Sequence, residues 1–373
     1  MKRFIKHHIL TILKSHEDSP SPMDSFLRRY FREHHAIGSH DRKNICETLY
    51  TMIKQKGLID FFCPKPFSWE NRLATTLKLN SIPSDLIRQT PPHVQVSFPK
   101  FLYDKLTQAL DVNVGHEFCY ISNGIAPVTV RINPDKTSRQ QFLETYKEDG
   151  VMPTKMSKLG VIFPKKMNFF SWDTFKEGHF EIQDEGSQLI AELMDVKKGD
   201  HVLDYCAGAG GKTLAFAHKM EGKGQIYLHD IREYALDSAK LRLKRAGVQN
   251  IQLTSTKTLK KKRFEKKMDW ILLDVPCSGS GTLRRNPEIK WKLCQNDIDN
   301  LIQSQRLIFG NALHFLHPNG KIVYATCSVF KEENDEQIAF FEKTHGLKLL
   351  QEPFRSLPTH GGMDGFFCAV LGR

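Results

Sequence analysis

Apolar positions change their spacing along this chain. In FLRRYFREH, Phe26, Leu27, Tyr30 and Phe31 fall at i, i+1, i+4 and i+5, one face of a helix, with Arg28, Arg29 and Arg32 on the polar side. Asp24 or Ser25 is placed to cap it. A second helix starts near Ser39, gathers Ile45, Leu49, Met52 and Ile53 on one face, and leaves Gly57 just past its end. Residues 1–92 therefore read as a helical region. TPPHVQVSFP (90–99), with three prolines, reads as a linker. Residues 93–170 mix periods. Val128, Val130 and Ile132 alternate in a short strand stopped by Pro134, and a helix follows around 139–147, so this part reads as a small α+β unit.

From 171 to 373 strands alternate with helices. Strands are predicted over 201–207, 225–230, 250–254, 268–275 and 320–328, with a last one in GFFCAVLGR. Helices are predicted to end at Gly247 and to span 296–316. MDWILLDV is a near-continuous apolar run, as a strand buried on both faces requires. Such an order implies βαβ units and a doubly wound, mainly parallel α/β sheet.

Composition narrows this picture. Hydrophobic residues make up 40% and charged residues 26%, which excludes wholesale disorder. No apolar run approaches the ~18 residues of a membrane span. The N-terminal MKRFIKHHILTILK is broken by His7, His8 and Lys14 and precedes no small-residue cleavage site, so no signal peptide is expected. Lys plus Arg number 54 against 42 Asp plus Glu, a net charge of +12. That excess favours a polyanion partner, although a solvated basic surface is the plain alternative. The eight cysteines form no C-x-x-C pair and no zinc spacing, so no metal site is expected. They are too dilute for a disulfide scaffold and imply reduced thiols in the cytoplasm. A monomer is expected.

DYCAGAGGKT (204–213) lies between a strand and a helix, where open α/β sheets bind ligands. Gly208, Gly210 and Gly211 allow close backbone approach, but the spacing matches neither a Walker loop nor a dinucleotide fingerprint. Asp230 closes the next strand, where a carboxylate can accept both ribose hydroxyls. Together they fit a nucleoside without a polyphosphate, S-adenosylmethionine above all; the plain alternative is a structural turn.

DVPCSGSGTLRRNPEIKW (274–291) and ATCSV (325–329) each end a predicted buried strand. Asp274, Cys277 and Cys327 should meet on the rim that carries the glycine-rich turn. A lone cysteine is most often a small buried hydrophobe, but two at neighbouring strand ends suit a methyl transfer to carbon 5 of a pyrimidine. That carbon is a poor nucleophile until a thiolate adds to carbon 6. A carboxyl group bonded to N3 and the amine of cytosine stabilises the adduct.

These segments, with PVTVRIN, FKEGHFEIQDEGSQL (175–189), YATCSVFKEEN (324–334) and DGFFCAVL (364–371), resemble in order and kind the RsmB/Sun family of RNA 5-methylcytosine methyltransferases. The resemblance runs from about Pro127 to the C-terminus. It implies a Rossmann-like methyltransferase domain over 171–373, a small RRM-like unit over 93–170, and a helical region over 1–92 like the NusB-like RNA-binding unit of some members. It implies Cys327 as nucleophile and Cys277 as the residue that promotes release. It puts the cofactor on Cys206, Ala207, Gly208, Ala209, Gly210, Gly211, Lys212, Asp230 and Asp274. Ala209 replaces the family's usual proline, and Ser255 or Thr256 replaces an acidic residue near the adenine amine, so Thr256 joins the cofactor set. RNA is the implied partner: small-subunit ribosomal RNA, with transfer RNA as the alternative. Arg284, Arg285 and Lys290 are the expected RNA contacts beside the Pro-Cys motif. KTLKKKRFEKK (257–267) is either a further phosphate contact or a solvated loop. The competing readings are a non-catalytic RNA-binding assembly factor and a methyltransferase acting on a small molecule or a protein.

Overall fold

The near-continuous apolar runs become the middle of one sheet. In the computed structural model, residues 1–17, 19, 21–259 and 261–373 are described; Lys260 of the predicted basic run lies outside them. The strands are β1 (Val128–Ile132), β2 (Met152–Pro153), β3 (Gly160–Phe163), β4 (Phe180–Ile182), β5 (His201–Asp204), β6 (Gln225–His229), β7 (Ile251–Thr254), β8 (Met268–Asp274), β9 (Leu316–Thr326), β10 (Lys348–Leu349), β11 (Phe354–Ser356) and β12 (Phe366–Gly372). The larger sheet has the order β10-β12-β9-β8-β5-β6-β7, with β11 beside β12. β7, β6, β5, β8 and β9 are parallel, and β12 runs antiparallel to β9.

Both faces of this sheet are covered. Ile190, Phe216, Leu236 and Leu243 pack with Val202, Leu228 and Leu272 on one side. Phe309, Ile338 and Phe341 pack with Ile271, Leu273 and Tyr324 on the other. The chain winds outward from β5 through β6 to β7, then returns to β8 on the other flank of β5. That reversal opens a crevice at the carboxyl ends of β5 and β8, the place where such sheets bind ligands. The smaller sheet, β2-β3-β1-β4, is antiparallel and carries its own core of Val130, Phe142, Phe163 and Phe180.

The chain divides into two compact units, Met1–Ile125 with Leu283–Cys294, and Ala126–Thr282 with Gln295–Arg373. The boundaries expected at 92 and 170 therefore move. The helical unit runs to Ile125, and the small sheet belongs with the large one. The proline-rich stretch is no linker: Pro92 starts a helical turn, Pro92–Gln95, where its missing N–H is harmless, and Val94, Val96 and Phe98 are buried. Two helix-end expectations also change. The helix Met23–Glu33 begins one residue before Asp24, and its Met23 N–H is taken by the Glu288 carboxylate at 3.0 Å, a cap from far along the chain. Gly57 lies inside the helix Lys56–Phe62, where an added Cβ would stand 3.2 Å from the Ser97 Cα; close approach explains the glycine. By contrast, Gly247 ends the helix Glu233–Ala246 in the left-handed conformation, as expected. No helix among the described residues is long and apolar enough to cross a membrane.

Candidate active site

The glycine-rich turn leaves β5 and enters the helix Gly211–Phe216. It is pinned at each step. The Ala207 N–H donates to the His229 carbonyl at 2.8 Å, the Gly208 N–H to Asp230 Oδ2 at 2.8 Å, and the Gly210 N–H to the Ala207 carbonyl at 2.8 Å. Gly208 has φ +51°, and beyond it only the tip of Arg232 lies within 4 Å of an added Cβ, so its face is open. Gly210 has another role than expected. Its φ is +73° and a Cβ would meet the Ala239 side chain at 3.1 Å, so it packs the turn on a helix and does not face the cavity. The Ala209 carbonyl accepts Arg242 Nη1 at 2.8 Å. Arg242 also bonds Glu181 of β4, a buried carboxylate that Arg245 shares. This brace holds the turn where the family has proline.

A cavity of about 880 Å³ lies above the turn. Cys206, Ala207, Gly208, Ala209, Gly211, Lys212, Asp230, Thr256, Asp274, Cys277 and Cys327 all line it, so nearly the whole expected set is brought together. Asp230 is 6% exposed and accepts Gly208 N–H and three donors of Arg232. Burial opposes its charge, but the Arg232 and Gly208 hydrogen bonds outweigh burial and hold the carboxyl below its ordinary value. Thr256 Oγ1 sits 3.0 Å from His229 Nε2, while His229 Nδ1 faces the Tyr205 carbonyl at 2.8 Å. A hydroxyl both donates and accepts, so Thr256 Oγ1 can bond His229 and still offer a lone pair to an amine.

The two thiols stand together. Cys277 Sγ and Cys327 Sγ are 3.4 Å apart, and the Cys327 N–H donates to Cys277 Sγ at 3.3 Å. The adjacency follows from register, since Asp274 of β8 pairs with Ala325 of β9. Lys212 Nζ donates to Asp274 Oδ2 at 2.5 Å on the same wall. The hydrogen bond with Cys277 lowers the Cys327 thiol, against burial and the Asp274 charge and with the help of the Lys212 ammonium. The same bond, with burial, pushes Cys277 well up. Both influences run in one direction, toward a Cys327 that gives up its proton more readily than Cys277 does.

A family model described as 16S rRNA methyltransferase RsmB/F matches residues 191–372. A Synechocystis protein named probable ribosomal RNA small subunit methyltransferase B is 30% identical over 302 residues, 75% of this chain and 67% of that one. This chain belongs to the RsmB/F family. The ribosomal RNA small subunit methyltransferase B of Vibrio cholerae is 32% identical over 268 residues, 68% of this chain and 60% of its own length. The chain thus spans about three-fifths to two-thirds of these relatives. The crystal structure of PH0851 shares the fold, with TM-score 0.80 over 99% of this chain and 98% of that one at 24% identity.

The family's cofactor is S-adenosylmethionine, and the residues fit it. Besides the open glycine face and Asp230, the cavity wall holds Asp204, whose Oδ2 accepts Thr213 Oγ1 at 2.6 Å while its buried Oδ1 has no partner among the described residues. An unmatched carboxylate oxygen suits the ammonium of an amino-acid moiety. Asp204 is absent from the sequence-derived set, because a strand-end Asp inside an apolar run carries no signal of being orphaned.

The expected RNA contacts are placed otherwise. Arg284, Arg285 and Lys290 lie in the Leu283–Cys294 segment of the helical unit. Lys290 is 1% exposed, and its ammonium donates to the Lys54 and Ser97 carbonyls and to Asn123 Oδ1, at 2.7, 2.8 and 2.6 Å. It is an internal strut. Arg284 is also buried, and only Arg285 of the three reaches solvent. Leu259 and Phe264 anchor the basic run, leaving Lys257, Lys261, Lys262, Arg263, Lys266 and Lys267 exposed. Lys266 and Lys267 precede β8, so they stand at the sheet end opposite the cavity, roughly 20 Å away for a seven-residue strand.

Proposed function

We propose that this protein methylates carbon 5 of a cytosine in small-subunit ribosomal RNA, in the cytoplasm, with Cys327 as nucleophile and Cys277 as the thiol that promotes release. The observation that carries the reading is the 3.4 Å pair of sulfurs on the wall that also holds the glycine-rich turn and Asp230. A non-catalytic binding protein has no need of such a pair. The Cys327 thiolate adds to carbon 6 of the ring, and Lys212 offsets its charge and that of Asp274. The Asp274 carboxylate accepts from the exocyclic amine. S-adenosylmethionine supplies the methyl group when bound. After transfer the carbon-5 proton passes to water, its bonding electrons re-form the 5,6 double bond, Cys327 is expelled from carbon 6 as the thiolate, and Cys277 assists that last step. The target base must leave its stack to reach the sulfurs, so an extruded or single-stranded cytosine is required.

The test uses both thiols. Cys327→Ala should abolish methyl transfer while cofactor binding survives. Cys277→Ala should leave a covalent protein–RNA complex stable in denaturing gels, and the double variant should leave none. An adduct with Cys327→Ala and none with Cys277→Ala would exchange the roles. Base-resolution bisulfite mapping of RNA from a deletion strain should show one small-subunit cytosine losing its methyl group; loss in transfer RNA would replace the substrate.

A further inference from the structure

One carboxylate beneath the two cysteines takes no part in the steps above. Glu333 is fully buried. Its Oε1 accepts the Ser278 N–H at 2.9 Å and the Gln305 side-chain amide at 3.0 Å. Its Oε2 accepts the hydroxyls of Ser278 and Ser328, each at 2.5 Å. Ser278 follows Cys277, and Ser328 follows Cys327. One side chain thus bonds the residue next to each sulfur, on two loops that leave two strands. Ser280 bridges the same loops, with Oγ 3.1 Å from Ser328 Oγ and accepting the Val329 N–H at 3.0 Å.

Among the described residues all four of these donor groups are neutral, and no cation pairs with the carboxylate. In a buried site its field reaches far. Among the described residues, the charged and titratable groups nearest the pair include Glu333 and Tyr324 from beneath, and Lys212 and Asp274 from the cavity side, whose wall also holds Asp204 and Cys206. Arg306 lies beyond Tyr324, on the helix Gln295–Leu313, and bonds Gln337 at 2.9 Å. A thiol beside an anion keeps its proton. The bond to Cys327 raises Cys277 most, burial and the Cys327 charge add to it, and so does the Glu333 charge.

We propose that Glu333 is a positioning residue that ties the Cys277 loop to the Cys327 loop and, by its charge, distinguishes the two sulfurs so that Cys327 is the nucleophile. This rests on the assignment of Cys327 given above. Glu333→Gln separates charge from shape. The amide oxygen can take the place of Oε1 and accept both N–H donors. Its NH2 can take the place of Oε2, because the two serine hydroxyls can turn to accept. The fold should survive this change.

The intact protein without RNA is alkylated briefly with iodoacetamide from about pH 6 to about pH 10, and each cysteine is followed by peptide mass spectrometry. In the wild type Cys327 should react first and Cys277 only at higher pH. In Glu333→Gln the Cys277 midpoint should fall by about one unit or more, with little change in melting temperature. A Cys277 profile that superimposes on the wild type overturns the electrostatic role. Glu333→Ala should scramble the order of labelling and slow methyl transfer by roughly 100-fold, since small misplacements of reacting groups have effects of that size, with cofactor affinity unchanged. Wild-type labelling order and rate in that variant overturn the tie between the loops. If it does not fold, Glu333→Gln alone decides. A wild-type protein that labels as expected but methylates no RNA would instead remove the functional reading.

Discussion

Asp204 stands at the end of β5 with one oxygen bonded and the other unmatched, and burial pushes its carboxyl up to about 7, more strongly than Thr213 pulls it down. A carboxyl raised on folding holds more protons in the native state than in the unfolded one. The contribution of Asp204 to stability must therefore fall as pH rises from the unfolded value near 4 through about 7, by roughly 1.4 kcal/mol per unit at most. In denaturant melts of the cofactor-free protein the wild type should lose stability relative to Asp204→Asn between pH 5 and pH 8, because His8, His218 and His345, all held below their ordinary values by burial, act alike in both. An unchanged slope in the variant would remove Asp204 as the cause. Asp230 makes a different kind of contact. Its carboxylate is held by Arg232 and Gly208, so ribose hydroxyls must take over the bonds of a 57% exposed arginine side chain. Charge-assisted bonds contribute about 1.5–3 kcal/mol each. Asp230→Ala should weaken S-adenosylmethionine by at least ~10-fold, and calorimetry with an unchanged dissociation constant would dismiss the assignment.

At the scale of elements, the glycine-rich turn depends on a helix and on a strand of the smaller sheet. Arg242 of the helix Glu233–Ala246 holds the Ala209 carbonyl and is itself gripped by Glu181 of β4. The family's proline stiffens that turn covalently; here a charged bridge does it. Arg242→Ala should loosen the turn and raise the cofactor dissociation constant several-fold, within the ~1.5–3 kcal/mol of a charged hydrogen bond. The labelling of Cys277 and Cys327 should stay as it is, because their loops are fixed from β8, β9 and Glu333. Equal loss of cofactor binding and of thiol selectivity would show a general unfolding of the rim.

At the scale of the molecule, the helical unit is built from two stretches of chain. Leu283–Cys294 completes it, with Lys290 bonded to three of its acceptors, Trp291 Nε1 on the Ile53 carbonyl at 2.7 Å, and Glu288 capping Met23. Deleting residues 1–125 should therefore expose a buried lysine and a half-buried tryptophan in the loop that follows the Pro-Cys motif. We expect the 126–373 fragment to aggregate or melt well below the full chain, by light scattering and calorimetry. A fragment as stable as the whole would mean that the segment refolds without its partners. The net charge of +12 acts at this scale too. It favours RNA through phosphate contacts, which place the protein and do not choose the base.

Local rules sufficed wherever one period or one turn residue decides. The apolar runs of β5, β6, β8 and β9, the stop at Gly247, the glycine-rich turn and the two cysteines at strand ends are all legible because a strand buried on both faces needs a continuous run and a tight turn needs glycine. From these, most of the cavity wall followed. What the sequence hid were pairings between distant residues: Glu288 on Met23, Arg242 on Glu181, Glu333 on both serine loops, and the burial of Lys290. A lysine in RRNPEIKW reads as a surface charge because nothing local says that three carbonyl-type acceptors will surround it. Whether a polar side chain is solvated, paired or orphaned depends on what the fold brings against it, and that is decided only when the whole chain has packed.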